Sequence, residues 1–331
     1  MLANMARLPW LLTLLTTVAL CGCQQQQKTG KATSGPLFAS FEQLLGMNPP
    51  IRLAVTRVHI NPLVPAPWQP LQRGLRELLG RDVQVLQLRA FQVRTKFERG
   101  ELELALVSAA DYVQIAQDNL ENVCSLLAVC RNPDGSDHSG GLIITADSSD
   151  VQSLEQLQGK RFAFGPRNDP ILHIAAGQAL LDAGVDLRDL PKELLPPYGF
   201  HISSFEAAKA ALYEGVAAAA VTQAEFESWP ESGGLLLQGK LGRNSFRVLA
   251  KTPMVPNRAF LAGAKADPKL VERVREYLLE KVDAQPEVLE ALGIGGFEQA
   301  TPQLYKPFVQ MHQRVQSQTP QTDLIPFGAS S

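Results

Sequence analysis

The sequence predicts an α/β protein of two lobes with mixed, mostly parallel sheets, and three observations support this prediction. A chain of 331 residues with 45% hydrophobic composition is long enough for two lobes, each with its own core. Short apolar runs alternate with segments of helical period, which is typical of parallel sheets covered by helices. The segment 159–184 contains, in order, a strand pattern, a tight turn and a helix pattern.

The N-terminal residues are expected to be a targeting segment. Arg7 supplies a positive charge, residues 8–20 are apolar but too few to span a membrane, and small residues follow. The motif Leu20-Cys21-Gly22-Cys23 resembles a bacterial lipobox. Residues 1–22 are therefore predicted to be a lipoprotein signal peptide, with Cys23 as the lipidated residue. Ordinary secretion and a plain membrane anchor are the alternatives. The polar composition that follows predicts a flexible tether over residues 23–48.

The first lobe is predicted from alternating strand and helix patterns. Strands are expected at 51–55, 83–88 and 102–107, and helices at 68–79, 91–99 and 108–117. Thr56 and Ser108 each follow a strand, and ligands in such sheets bind at the carboxyl ends of strands. Tyr112 lies one turn into the next helix. These side chains suit a polar ligand, but Ser108 can equally cap its helix and Tyr112 can equally pack in the core.

Two cysteines follow the predicted targeting segment. Residues 123–129 have the composition of a buried strand, so Cys124 and Cys130 are separated by roughly 20 Å of extended chain. Disulfide-bonded Cα atoms lie within about 7 Å of each other. We therefore expect two free, buried thiols. No spacing of Cys and His suits zinc, and neither a metal nor a cofactor is expected.

The middle of the chain is predicted to enter the second lobe. Strands at 126–130 and 142–145 lie on either side of Asn132-Pro133-Asp134-Gly135, whose turn chemistry predicts a hairpin. Residues 151–157 resemble a short helix. A strand at 161–164 then leads into a helix that begins at Pro170 and ends at Gly184.

The start of this last helix is the leading binding candidate. A helix start presents unpaired N–H groups and a partial positive charge, which favour an anion or a carbonyl oxygen. Arg167 strengthens that preference, and Asn168 or Asp169 lies where a helix cap belongs. Alternatively, Asp169 satisfies the helix start itself and Arg167 is solvated.

Further candidates lie in the second lobe. His201 belongs to a predicted strand at 198–202, Ser204 begins a helix that ends at Tyr213, and Thr222 ends a strand at 216–221. Their positions at strand ends favour a cleft location. Ser204 can equally be a helix cap, and His173, one turn into its helix, is a packed residue more often than a ligand.

The remaining chain is predicted to complete the first lobe. A strand at 246–250 precedes helices at 269–284, 286–292 and 305–315, and a loose tail covers 316–331. Charged residues make up 19% of the chain, the net charge is −2 and there is no basic run, which argues against nucleic acid as a partner. The sequence has no G-x-S-x-G elbow, H-E-x-x-H motif, P-loop or dinucleotide fingerprint, so no enzyme is expected.

These signals together resemble a known family. The pattern of Gly100, Ala105, Val107 and Tyr112 is similar to the start of substrate-binding components of phosphate, phosphite and phosphonate ABC transporters. Residues 143–148, 154–164 and 248–257 resemble that family's hinge strand, second-lobe start and return strand. The resemblance implies a type II periplasmic binding protein, in which two Rossmann-like lobes are joined by two crossing hinge strands. The implied lobes are 49–148 plus 248–315, and 149–247.

The resemblance also implies the function. The chain is expected to be an exported, lipid-anchored and monomeric solute-binding protein, in the periplasm or on the outer cell-envelope surface, that delivers a small anionic or polar ligand to an ABC permease. A phosphonate-like oxyanion is the leading ligand class, although the Ser/Thr run that phosphonate binders place at the helix start is replaced by residues 165–170. The alternatives are a sensing or scaffold lipoprotein without a transport role, and a bilobed enzyme. The expected ligand-binding residues are Thr56, Ser108, Tyr112, Arg167, Asn168, Asp169, His201, Ser204 and Thr222.

Overall fold

A computed structural model describes residues 49–56, 66–116, 120–190, 203–232 and 241–319. All of them belong to the unit Pro49–Ser331. The predictions at Cys23, His201, the signal peptide, the tether and the strand 198–202 fall outside these residues.

The first part of the chain alternates between strands and helices, as predicted. Its elements are β1 (Ile51–Thr56), α1 (Gln69–Leu79), β2 (Val83–Leu88), α2 (Ala90–Arg99), β3 (Leu104–Val107), α3 (Ala109–Ala116), α4 (Leu120–Val123) and β4 (Cys124–Arg131). Strand β3 begins two residues later than predicted. Gly80 and Gly100 end α1 and α2 in left-handed conformations, with φ of 63° and 71°, which glycine adopts without steric cost.

The middle part builds a second sheet. Its elements are β5 (His138–Ser139), β6 (Gly141–Ala146), β7 (Phe162–Ala163), a π-helical turn (Pro170–Ala175), α5 (Ala176–Asp182), α6 (Ser204–Tyr213), β8 (Ala218–Thr222), α7 (Gln223–Ser228) and β9 (Phe246–Lys251). The helix predicted at 151–157 is only a 3₁₀ turn, Glu155–Leu157. The strand predicted at 161–164 is confined to β7.

The last part returns to the first sheet. Its elements are β10 (Val255–Pro256), β11 (Ala259–Gly263), α8 (Pro268–Glu276), α9 (Pro286–Leu292), β12 (Gly296–Glu298) and α10 (Lys306–Gln318). A π-helical turn (Tyr277–Lys281) and a 3₁₀ turn (Val282–Ala284) continue α8, so the helical stretch predicted to Ala284 is found. Helix α10 runs beyond its predicted end at Val315.

Two β-sheets, each packed against helices, are joined by a pair of short crossing strands. The first sheet has the order β12-β4-β11-β3-β1-β2 and the second has the order β7-β8-β6-β9. Strands β5 and β10 pair antiparallel, with Val255 opposite Ser139 and Pro256 opposite His138. The α/β class with mixed sheets is therefore confirmed. The hairpin predicted between β4 and β6 is wrong, because these two strands belong to different sheets and β5 carries the chain between them.

The described strands form more antiparallel pairs than the alternating pattern predicts. Strands β1–β2, β1–β3 and β7–β8 are parallel, whereas β11 runs antiparallel to both β3 and β4, and β12 runs antiparallel to β4. The reason is the return from the second sheet. The chain re-enters the first sheet between β3 and β4 instead of adding a strand at its edge.

Alternation along β1 divides the core between the two faces of the first sheet. Ile51, Leu53 and Val55 face one cluster with α1 and α8, while Ala54 faces the other. This second cluster continues without interruption into residues of the π-helical turn, α5 and the inner face of the second sheet, among them Leu172 and Ile143. The two sheets thus share one apolar core beside the crossing strands.

Candidate functional site

The crossing strands β5 and β10 connect the two sheets that carry the predicted binding residues. On one side, the Tyr305 hydroxyl donates to the carbonyl oxygen of Asn257, just after β10, at 2.9 Å, while its ring lies against Tyr112. On the other side, an ideal Cβ on Gly141 would lie 2.7 Å from Ile171 Cγ2, so the helix start packs directly on β6. Tyr112 therefore adjoins the connection between the sheets through Tyr305, and the helix start adjoins it through its contacts with β6 and β10.

A polar cluster forms at the carboxyl ends of β1 and β3. Thr56 is 5% exposed, and its hydroxyl accepts from the backbone N–H of Ser108 at 3.3 Å. The Ser108 hydroxyl accepts from Asp111 N at 3.1 Å and donates to Asp111 Oδ2 at 2.8 Å. Ser108 thus caps α3, which was one of its two interpretations. The same contacts hold the Ser108 hydroxyl in a fixed orientation at the carboxyl ends of these strands.

Tyr112, one of the predicted binding residues, belongs to the apolar core. Its side chain is 3% exposed, and its ring centroid lies 4.2 Å from that of Tyr305 at an interplanar angle of 42°. Burial raises the pKa of Tyr112 and of Tyr305 above the ordinary range of a phenol. Both phenols are therefore neutral at physiological pH.

Every backbone N–H at the predicted anion-binding helix start has a partner within the chain. Pro170 has no N–H, Asp169 Oδ1 accepts from Ile171 N at 2.9 Å and from Leu172 N at 2.6 Å, and the Asp169 carbonyl oxygen accepts from the next two residues. The structure therefore realises the alternative in which Asp169 satisfies the helix start. Burial of the carboxyl raises the pKa of Asp169, and the two N–H donors partly offset this effect.

The neighbours of Asp169 differ in exposure. Arg167 is half-buried and Asn168 is exposed. His173 is 9% exposed, and its ring centroid lies 5.0 Å from that of Phe164. His173 is thus a packed residue of the helix, in agreement with its commoner role.

Ser204 and Thr222 lie together although they are distant in sequence. Ser204 is fully buried, and its hydroxyl accepts from Thr222 N at 2.9 Å. The Thr222 hydroxyl accepts from Glu225 N at 3.3 Å and so caps α7. Ser204 is not the cap of its own helix. That role belongs to Ser203, whose hydroxyl accepts from Glu206 N at 3.2 Å.

Sequence reasoning missed the polar groups that tie the crossing strands together. The Asn132 amide donates to the His138 carbonyl oxygen at 2.8 Å and to the Ser139 hydroxyl at 3.1 Å. Ser139 donates to Asn257 Oδ1 at 2.5 Å, and the Asn257 amide donates to the Cys130 carbonyl oxygen at 3.1 Å. The available signal was an asparagine at each end of the connection. A turn explained Asn132 locally, and the resemblance placed the hinge strand at residues 143–148, so neither asparagine was linked to the connection between the sheets.

Within the described ranges, no cluster of three or more His, Cys, Asp and Glu side chains is arranged to hold a metal ion. Cys124 and Cys130 are both free and buried. No helix in the described part of the chain is both long and apolar enough to cross a membrane.

Comparison with known proteins identifies related chains. Residues 63–305 match the profile of the family described as "ABC transporter, phosphonate, periplasmic substrate-binding protein". No curated protein sequence matches significantly.

Several solved structures are similar in fold. PhnD1 of Prochlorococcus marinus, solved with methylphosphonate, shares 15% identity at a TM-score of 0.62, covering 80% of this chain and 98% of its own. A binding protein of an ABC phosphonate transporter from Pseudomonas aeruginosa shares 15% identity at 0.61, covering 82% and 87%. A Xanthomonas citri protein solved with ATP shares 17% identity at 0.64, covering 81% and 99%.

Proposed function

The chain belongs to the family of periplasmic substrate-binding proteins of phosphonate ABC transporters, and we propose that it captures a small phosphonate-like or other polar ligand between two lobes. The observation that carries the proposal is the paired crossing strands β5 and β10, with polar strand ends and a helix start on either side. Rotation about such a connection closes two lobes on a ligand that contacts both. The proposed lobes follow the predicted bounds, 49–148 plus 248–315 and 149–247, except that β6 and the whole of β9 go to the second lobe, because they pair in the second sheet.

The proposed ligand contacts come from both lobes. Thr56, Ser108 and Tyr112 would contribute from the first. Arg167, Asn168, His201 and Thr222 would contribute from the second. Asp169 and Ser204, also predicted as contacts, are instead paired with Ile171 N, Leu172 N and Thr222 N and would position their neighbours. Among the described residues, Thr56, Ser108 and Thr222 lie at strand ends and residues 167–169 at the helix start. Thr56 accepts from the backbone N–H of Ser108, and Asp111 holds the Ser108 hydroxyl.

The ligand class follows from the family and from the donors that the site offers. PhnD1, of similar fold, is solved with methylphosphonate, which supports an oxyanion as the leading class. In this chain the backbone donors of the helix start are used by Asp169. An oxyanion would therefore be held by side-chain donors, and the guanidinium of Arg167 is the one suited to bidentate pairing.

The finer parts of the proposal concern location and partners. The lipobox-like motif before Cys23 supports a lipid anchor, so the receptor would be tethered to a membrane of the cell envelope. Its partner would be the permease of an ABC transporter. We propose that it acts as a monomer and without catalysis.

A thermal-shift screen tests this function directly. The purified protein, shown to be folded and free of ligand, is titrated with inorganic phosphate, phosphite, methylphosphonate, methanesulfonate and acetate. One of these should stabilise clearly, since a ligand at 100 times its Kd adds about 2.7 kcal/mol. Arg167→Gln should weaken the binding of that ligand. Arg99 is an exposed arginine at the end of α2, and Arg99→Gln should leave the binding affinity unchanged. No stabilisation by any of the five compounds would overturn the proposal.

A further inference from the structure

Helix α10 follows the first sheet in the chain but packs on elements of the second. It follows β12, a strand of the first sheet, after the 3₁₀ turn Pro302–Tyr305, and it contacts α3 beside β3. It also contacts α5 and the π-helical turn 170–175, which pack on β6 and β8 of the second sheet. The helix thus spans the two lobes on a path separate from the crossing strands.

The contact between α10 and α5 is close and apolar. Val315 is fully buried, and an ideal Cβ on Gly177 would lie 3.0 Å from its Cγ1 and 3.5 Å from its Cγ2. A Cβ at this position would contact Val315 more closely than is usual, so the glycine favours this close approach of the two helices. Arg314 and Asp182 form an ion pair at 2.7 Å on the rim. Both are about half exposed, so this pair contributes little to the contact.

The other end of α10 is fixed to the first lobe and to the hinge. Tyr305, immediately before the helix, is fully buried, packs its tilted ring against Tyr112 of α3 and donates to the Asn257 carbonyl oxygen after β10. Phe308, one turn later, is 1% exposed. This end therefore moves with the first lobe, and any change in the angle between the lobes must be taken up where α10 meets α5.

We propose that α10 is a strap between the lobes, and that the lobes open only when α10 slides over α5 at Gly177 and Val315. Closely packed surfaces change between discrete arrangements more readily than they deform continuously, so the strap gives the receptor separate open and closed angles. The inference rests on the two-lobe motion of the proposed function. It does not depend on the identity of the ligand.

A disulfide across the contact tests the strap without any ligand. The distances from Gly177 place its Cβ within about 4.5 Å of Val315 Cβ, the range found in natural disulfides. In the full chain carrying Gly177→Cys and Val315→Cys, fluorophores are attached through bio-orthogonal side chains at Glu77 on α1 and Ser228 on α7, both exposed. Single-molecule energy transfer then reports the distance between the lobes.

The reduced protein should show two transfer peaks, and oxidation should remove one of them. Two peaks that persist after oxidation would overturn the proposal. The variant Val315→Ala with Arg314→Gln loosens the same contact without new cysteines, and it should shift the peak populations. If neither it nor the unmodified chain ever shows a second peak, the proposal fails as well. A negative ligand screen would leave these results unaffected, so failure of the strap and failure of the proposed function are distinguishable.

Discussion

Replacing Asp169 by alanine should destabilise the protein by more than an exposed helix cap would. The substitution removes the acceptor of Ile171 N at 2.9 Å and of Leu172 N at 2.6 Å. Pro170 offers no N–H, and the next two N–H groups keep the backbone carbonyl oxygen of residue 169. The change therefore leaves two backbone donors without their partner and alters no other hydrogen bond of the helix start.

The expected size of the effect follows from these contacts. Loss of a cap costs about 1 kcal/mol, and each buried donor left without a partner costs about 1–3 kcal/mol. Removal of a buried carboxylate, whose pKa burial raises, offsets part of the loss. We expect Asp169→Ala to lower the free energy of unfolding by about 1–3 kcal/mol. Asp169→Asn retains an oxygen acceptor and should stay within about 0.5 kcal/mol of the wild type.

Urea unfolding of the three proteins measures these differences through the midpoint at constant slope. An alanine variant as stable as the wild type would refute the reasoning, because water or another group would then supply the acceptors. A loss of equal size in the asparagine variant would also contradict it, since the charge and not the hydrogen bonds would then stabilise the helix start.

Three further predictions concern the hinge and the closing helix. Gly141→Ala places a methyl group 2.7 Å from Ile171 Cγ2 and should cost about 1–3 kcal/mol in urea unfolding, whereas no loss would mean that the helix start yields easily. Tyr305→Phe keeps the ring but removes the hydrogen bond to the Asn257 carbonyl oxygen, and should cost about 1–2 kcal/mol by the same assay; an unchanged midpoint would show that the bond is dispensable. Burial lowers the pKa of His312 from 6.5, so the stability associated with its neutral form is present above about pH 6.5 and is lost as the pH falls through the lower value of the folded protein. The melting temperature of His312→Gln should therefore fall less than that of the wild type as the pH is lowered below 6.5, and parallel curves would contradict this.

The sequence pattern of a segment was sufficient to predict those helices and strands whose start and end residues carry their own signals. Strand β2 and helix α9 have the predicted bounds, and helix α6 starts and ends where its pattern indicated. Strand β11 (Ala259–Gly263) was missed because it is only five residues long and rich in small side chains. Its position between β3 and β4 depends on partners more than 100 residues earlier in the chain, and no local pattern encodes such pairing.

The site was less predictable than the fold because each candidate had two chemically valid roles. Asp169 could cap its helix or leave it open, and the choice depends on one side-chain rotation that composition does not determine. Ser204 is held by Thr222, which is 18 residues away. The cap is Ser203 and not Ser204, for which a cap was the alternative role, since the two residues offer the same hydroxyl and only the backbone distinguishes them.

The insertion of β11 between β3 and β4 has a consequence for the nascent polypeptide. Until Ala259–Gly263 has left the ribosome, β3 lacks a neighbour along one side and β4, whose partners β11 and β12 both come later, lacks neighbours along both sides. Both strands then expose backbone groups that a foreign strand could pair with. A truncated product that stops before this point would therefore be prone to aggregation even though most of its helices are complete. Biogenesis of the first sheet must wait for nearly the whole message to be translated, which favours chaperone protection of the growing chain.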